Sequence, residues 1–84
     1  MNKDFILFNL KWARDQILQT IENIESDPEY EFGNYLVDMT LIYEHINTAW
    51  NARDASAAEA RECRAEDWNK WRQYPPTDEI YLGP

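Results

Sequence analysis

This 84-residue sequence contains little cysteine, little glycine and no long apolar run, and each shortage excludes a class of protein. Cys63 is the one cysteine, so no disulfide can form within the chain. Gly33 and Gly83 are the two glycines, too few for a glycine-rich phosphate loop. No stretch approaches the ~20 apolar residues that a membrane span needs, and the start of the chain has no secretory signal pattern. We therefore expect a cytoplasmic protein with no membrane partner.

Basic charge is also scarce. Lys and Arg total 8 against 16 Asp and Glu, which gives a net charge of −8. Phosphate neutralisation by Lys and Arg supplies most of the affinity in non-specific nucleic-acid binding, so this composition argues against a nucleic-acid partner. A negative balance commonly keeps a small protein soluble, and it also suits a basic partner surface.

The residues that carry enzyme or metal chemistry are few. His45 is the only histidine, and its neighbour Glu44 points about 100° away on a helix, so the two side chains do not converge. His45 and Cys63 are the only histidine and cysteine, and a structural zinc site needs four such ligands. Cys63 lies among both arginines and glutamates, and its reactivity stays open. We predict no enzyme activity, no catalytic residue, no cofactor and no metal.

The first half of the chain has the clearest helical pattern. Apolar residues recur at steps of three or four from residue 3 to residue 26, at Ile6, Leu10, Ala13, Ile17, Ile21 and Ile24. This spacing predicts a long helix over 3–26 whose apolar row faces the core. Pro28 ends it, because proline lacks a backbone donor and disfavours helical geometry at the residue before it.

Two more helical regions follow. The row Leu36, Met39, Tyr43, Ile46 and Trp50 predicts a helix over 35–53, with Asn34 as its cap. Ser56 and Glu59 have the spacing of a capping box before a third helical region over 57–73. Arg64 falls on the apolar side of that region, so we predict a break near 63–65. Pro75 ends any helix there.

These patterns predict an all-α fold. Three main helices, over 3–26, 35–53 and 57–73, form an antiparallel bundle in a single domain over 1–84, with an extended non-helical tail over 75–84. Ile80, Tyr81 and Leu82 are apolar enough to dock on a helix as a strap. A frayed tail fits the same residues equally well.

Aromatic residues are more numerous than a core of this size requires: 4 Trp, 5 Tyr and 3 Phe. Some lie on a second row of the first helix, where one core contact does not account for them, and aromatic residues are enriched at protein interfaces. The second helix has an extra apolar row as well, and two tryptophans end the third helical region. We therefore propose as interface residues Phe5, Phe8, Trp12, Val37, Leu41, Trp68 and Trp71.

Three stretches have a familiar look together: NLKWARDQI (9–17), VDM…AWNAR (37–53) and EDWNKWRQYP (66–75). They resemble short, uncharacterised helical proteins from cyanobacterial genomes. The resemblance implies a bacterial cytoplasmic setting. No functional motif comes with it.

Taken together, these features indicate a small homo-oligomeric module, with a homodimer as the expected form and protein interaction or regulation as its role. Completion of helical units by two-fold symmetry is common at this size. The alternative is an acidic inhibitor or nucleic-acid mimic that occupies a basic site on a target protein. The charge of −8 and the run of acids from Glu22 to Glu31 support that alternative.

Overall fold

The computed structural model describes residues 1–76 and Glu79, which form four α-helices and no strand. The helices are α1 (Lys3–Ser26), α2 (Phe32–Asn51), α3 (Ala57–Glu62) and α4 (Ala65–Trp71). The prediction of an all-α fold is confirmed.

Helix α1 has the predicted bounds because its two ends carry clear signals. Its first turn is capped by Asn2, whose Oδ1 accepts a hydrogen bond from the Phe5 N–H at 3.0 Å. At the other end Asp27 has an extended backbone, as expected for a residue before proline.

Helix α2 begins three residues earlier than the spacing predicts. Asn34 caps it from inside the first turn, because its Oδ1 accepts a hydrogen bond from the Glu31 N–H at 3.1 Å. The helix therefore starts at Phe32 and includes Gly33. It ends at Asn51, two residues before the predicted end.

The third helical region is broken where Arg64 predicts a break. Ser56 and Glu59 form the capping box of α3, with hydrogen bonds of 2.9 and 3.1 Å between the side chain of each residue and the N–H of the other. Cys63 ends α3 in a left-handed conformation with φ of 43°. Arg64 then has an extended backbone before α4, so its side chain leaves the apolar row.

Small side chains form the contact between α1 and α2. The two helices are antiparallel: the N–H of Asn2, before α1, bonds to the carbonyl oxygen of Arg53, just after α2. Ala13 and Thr20 are buried on α1, and Ile42 and Ala49 are buried on α2. Small residues let the helices approach closely. The prediction that the larger row of α1 faces the core is therefore wrong, since Leu10, Ile17, Ile21 and Ile24 are exposed.

Helix α4 covers one side of this hairpin, at the end away from the connection between α1 and α2. Asn47 and Asn51 of α2 donate hydrogen bonds from their side-chain amides to the carbonyl oxygens of Arg72 (3.0 Å) and Trp71 (2.7 Å). Arg72 also lies 3.5 Å from the Glu44 carboxylate. The result is a flat molecule with extents of 43 × 37 × 21 Å, its smallest dimension about two helix diameters.

The chain leaves α4 along the outer edge of α2. The Tyr74 ring lies 5.6 Å from that of Tyr43, and the Glu79 carboxylate accepts a hydrogen bond from the Trp50 indole N–H at 3.0 Å. The predicted docking or fraying of the tail concerns Ile80, Tyr81 and Leu82, which lie outside the described residues.

Candidate interaction surface

One side of the α1–α2 hairpin has large apolar residues, and no helix of the described residues lies on it. On α1 the row follows alternating steps of three and four residues, the heptad spacing of helix-to-helix seams. Arg14 is the one charged residue in this row, and it forms an ion pair with Asp15 at 2.9 Å. The apolar members are Leu7, Leu10, Ile17, Ile21 and Ile24, all exposed.

Helix α2 carries a second row with the same spacing. Met39 and Trp50 are half-buried, and the other members are exposed. The row contains no charged residue. Its members are Phe32, Leu36, Met39, Tyr43, Ile46 and Trp50.

The two rows lie on the same side of the hairpin, and together they form what we call the open face. Helix α4 is seated against Phe5 of α1 and Asn51 of α2. On each helix the exposed row falls on the opposite side of the buried seam from those α4 contacts, by the helical period of about 100° per residue. The open face is therefore the side of the hairpin opposite α4.

The size of the open face exceeds that of an ordinary surface patch. Its exposed residues range from 38 % exposed at Ile17 to 73 % at Phe32. Their combined apolar surface is on the order of 1,000 Å², against roughly 300–600 Å² for the largest patch of a typical monomer. About 800 Å² per partner is the standard share of a stable protein interface. The open face thus has the area of an interface.

Charges lie along both edges of the open face. At the α2 edge the Arg53 guanidinium lies 4.1 Å from the centre of the Trp50 ring and pairs with Glu79 at 3.4 Å. At the α1 edge, Lys3, Asp4 and Lys11 lie in the N-terminal part, and Glu22 and Glu25 lie in the C-terminal part. Among the described residues, Lys11, Glu22 and Glu25 take part in no ion pair. The α1 edge therefore has an unpaired cation in one half and two unpaired acids in the other.

The connection between α1 and α2 is fastened next to this acidic end. The Tyr30 hydroxyl donates a 2.8 Å hydrogen bond to the Asp38 carboxylate. Partial burial, followed by this hydrogen bond and the Asp38 charge, raises the pKa of Tyr30 to about 12. The tyrosine stays neutral and holds the turn on α2 over the ordinary pH range.

Most of the interface residues proposed from the sequence lie in the contact between α4 and the other side of the hairpin. Trp71 is 6 % exposed, and its ring packs edge-on against Phe5 at 5.6 Å. Trp12 stacks on His45 at 3.6 Å, and Trp68 meets the same imidazole at 6.0 Å. Four of the proposed interface residues, Phe5, Trp12, Trp68 and Trp71, therefore pack within the chain. Trp71 in particular is a core residue and not a surface one, because α4 turns it into the hairpin.

The remaining candidates are Phe8, Val37 and Leu41. Phe8 is 60 % exposed and its ring stacks on Phe5, while Val37 is 58 % exposed on α2. Leu41 is half-buried. Phe8 and Val37 lie outside the open face. They are the two proposed interface residues that remain well exposed.

The scarce chemical groups are held in different places. His45 lies half-buried between Trp12 and Trp68, with Nδ1 3.1 Å from the carbonyl oxygen of Leu41. Cys63 is exposed at the end of α3. The described part of the chain contains no group of three or more His, Cys, Asp or Glu side chains placed to hold a metal ion.

Sequence reasoning missed the open face because it assigned this row to the core. The signal was present in α1 and α2 as two heptad rows, interrupted only by Arg14, together with small residues one position to the side. Small residues at helical spacing favour close helix packing, which leaves the larger neighbours for another contact.

No helix among the described residues has the length and apolar character required to cross a membrane. Comparison of the chain with protein families, with curated proteins and with solved structures gives no match. The resemblance to cyanobacterial helical proteins stays a prediction.

Proposed function

We propose that this chain is a homo-oligomeric protein-interaction module, with a homodimer as its basic form and the open face as the contact between copies. One observation carries the proposal: on a single side of the hairpin, the exposed apolar residues of two heptad rows are 38 % to 73 % exposed. Their surface is on the order of 1,000 Å². Burial of apolar surface is favourable by roughly 25 cal/mol per Å². Association through this face is therefore far more favourable than a contact through isolated apolar surface residues. The role is binding, in regulation or assembly, and not catalysis.

Other features support the same setting. The His45 ring is stacked on Trp12 and its Nδ1 lies at hydrogen-bonding distance from a backbone carbonyl, which suits a packing role better than a catalytic one. The exposed thiol of Cys63 is compatible with a reducing compartment, and we propose the cytoplasm.

The test is absolute mass in solution, by light scattering on a sizing column over a range of concentrations. We expect twice the chain mass of 10.1 kDa for the unmodified protein. Ile21→Asp puts a charge in the middle of the open face and should give the mass of one chain. Its helical circular dichroism should be unchanged, because the Ile21 side chain is exposed.

Phe8→Asp and Val37→Asp are matched controls, since both residues are exposed and apolar but lie outside the open face. Both variants should remain dimeric. If they dissociate and Ile21→Asp does not, the contact is the surface proposed from the sequence. An unmodified protein that is monomeric at every concentration would refute the proposal.

The alternative, an acidic inhibitor or nucleic-acid mimic, has an observation of its own. The hairpin end exposes Glu22, Glu25, Asp27, Glu29 and Glu31, and these five carboxylates take part in no ion pair within the described residues. Binding of a basic target at this end would weaken steeply with salt. An interaction through the apolar open face would weaken far less, so the salt dependence of binding separates the two functions.

A further inference from the structure

We infer that two copies associate antiparallel, α1 on α1 and α2 on α2, about a two-fold axis that crosses both helices near their middles. This inference rests on the proposed function, because it assumes that the open face binds a second copy. It adds which residues meet and which charges set the orientation.

The spacing of the α1 row supports antiparallel pairing. Seam positions 7, 10, 14, 17, 21 and 24 are symmetric about a point between Arg14 and Ile17. In an antiparallel helix pair, the first seam position of the heptad in one helix faces the second seam position in the other helix. Leu7 would then face Ile24 of the second copy, and Leu10 would face Ile21, so every apolar member of the row is paired.

The α2 row leads to the same axis. Positions 32, 36, 39, 43, 46 and 50 are symmetric about a point between Met39 and Tyr43. Within the hairpin Trp12 lies level with His45, where their rings stack at 3.6 Å. The midpoint of the α1 row lies between three and four residues after Trp12, and the midpoint of the α2 row lies four residues before His45. Because the helices are antiparallel, the two midpoints lie at almost the same height. A single axis satisfies both rows.

Packing of α1 on α2 of the second copy also aligns the rows, and charge decides between the two arrangements. With α1 on α1, the edge residue Lys11 comes beside Glu22 of the second copy, and the same pair forms again by symmetry. With α1 on α2, that edge meets residues that are neutral, such as Leu36 and Thr40, or already paired within the chain, as Glu79 is with Arg53. Opposite charges placed along an interface edge fix orientation and suppress the wrong pairing.

Arg14 fits this arrangement. It faces Ile17 of the second copy, and its long stem reaches the solvated edge. By the helical rise the two copies of Arg14 lie about 4.5 Å apart along the helix axis. Asp15, which pairs with Arg14 at 2.9 Å within each chain, offsets their repulsion.

Disulfide cross-linking between single-cysteine variants tests the arrangement. All variants carry Cys63→Ser, so the only thiols are the introduced ones. A mixture of Leu10→Cys and Ile21→Cys, left to exchange subunits and then oxidised, should give a cross-linked heterodimer. Leu10→Cys alone should give none, because its two copies lie about 16 Å apart along the helix axis, beyond disulfide reach.

A mixture of Leu10→Cys and Ile46→Cys is the matched comparison, since it cross-links only if α1 packs on α2. Cross-linking of that mixture, or of Leu10→Cys with itself, would overturn the inference. So would the absence of any cross-link in a protein whose mass is that of a dimer. A monomeric unmodified protein refutes the proposed function itself, so the two failures are distinguishable.

Charge exchange at the edge is a second test. Lys11→Glu and Glu22→Lys should each weaken self-association about five- to ten-fold, because each puts two like-charged pairs at the interface. The double variant should return to within about two-fold of the unmodified protein. Glu66→Lys, the same charge change on α4, is the control and should have little effect. The Lys11–Glu22 pairing would be contradicted if neither single variant weakened self-association. It would also be contradicted if the double variant lost as much affinity as the two single variants combined.

Discussion

Cys63 adopts a left-handed backbone conformation, with φ of 43°, at the point where α3 ends. This conformation costs a residue with a side chain roughly 1–2 kcal/mol, which is why glycine is common where helices end. It lets the chain turn between α3 and α4 within two residues. A single backbone angle thus places α4, and with it Trp68 and Trp71, against the hairpin.

Cys63→Gly should therefore raise the free energy of unfolding by about 0.5–1 kcal/mol, because glycine takes the left-handed conformation without strain. Urea denaturation followed by circular dichroism measures the change. Ala58→Gly, inside α3, is the control and should lower stability by up to about 1 kcal/mol. Loss of stability in both variants would show that the left-handed turn does not form in solution.

Tyr30 leads to a pH-dependent prediction. Partial burial and the bond to Asp38 raise the pKa of Tyr30 to about 12, above its ordinary value of about 10. The folded state therefore holds this proton more tightly than the unfolded state does. The resulting stability is present in full below pH 10 and is lost as the pH rises towards 12.

Tyr30→Phe removes the hydroxyl and should remove this dependence. The unmodified protein should be more stable than the variant at pH 9, and the difference should shrink by pH 11. Urea denaturation at the two pH values measures it. A difference that stays constant from pH 9 to pH 11 would contradict the Tyr30–Asp38 bond.

At the scale of the elements, α4 depends on side-chain amides of α2 for its position. It has seven residues, too few to be a stable helix alone. Its last carbonyls would lack partners within the helix. The amides of Asn47 and Asn51 supply those partners, and the buried Trp71 supplies the apolar contact.

Asn51→Ala should lower the free energy of unfolding by about 1–3 kcal/mol, because the carbonyl oxygens of Trp71 and Gln73 both lose the amide donor. Denaturation followed by tryptophan fluorescence measures the loss. Asn69→Ala, an exposed position on α4, should change stability by less than about 0.5 kcal/mol. Equal effects of the two substitutions would show that the amides of α2 do not hold α4.

At the scale of the whole molecule, one chain buries few of its apolar residues. The fully buried ones on the hairpin are Ala13, Ile42, Ala49 and Ala52, and three of these are alanine. The radius of gyration is 14.7 Å, against about 12 Å for a compact domain of this length. A flat hairpin with one side that no described helix covers has the shape of half of a larger helical bundle.

The thermal midpoint should therefore rise with protein concentration, because association stabilises the folded chain by mass action. Thermal unfolding at concentrations that differ by a factor of a hundred measures the shift. Ile21→Asp should unfold at a lower midpoint that does not depend on concentration. A concentration-independent midpoint in the unmodified protein would indicate that each chain is stable by itself.

The sequence by itself determined the helices, because their signals are local. Apolar spacing, Pro28, the Ser56–Glu59 box and the misplaced Arg64 each act within a few residues. The bounds of α1, the start of α3 and the break near Cys63 follow from them, whereas α2 begins three residues earlier and ends two residues earlier than they predict. The side that each helix turns inward was decided only by the tertiary structure. Apolar rows of α1 lie on both sides of its buried seam, and local spacing does not say which row a partner helix covers. The burial of Ala13 on α1 and of Ala49 on α2, and the packing of Trp71 on Phe5, settle it, because these contacts join residues far apart in the chain.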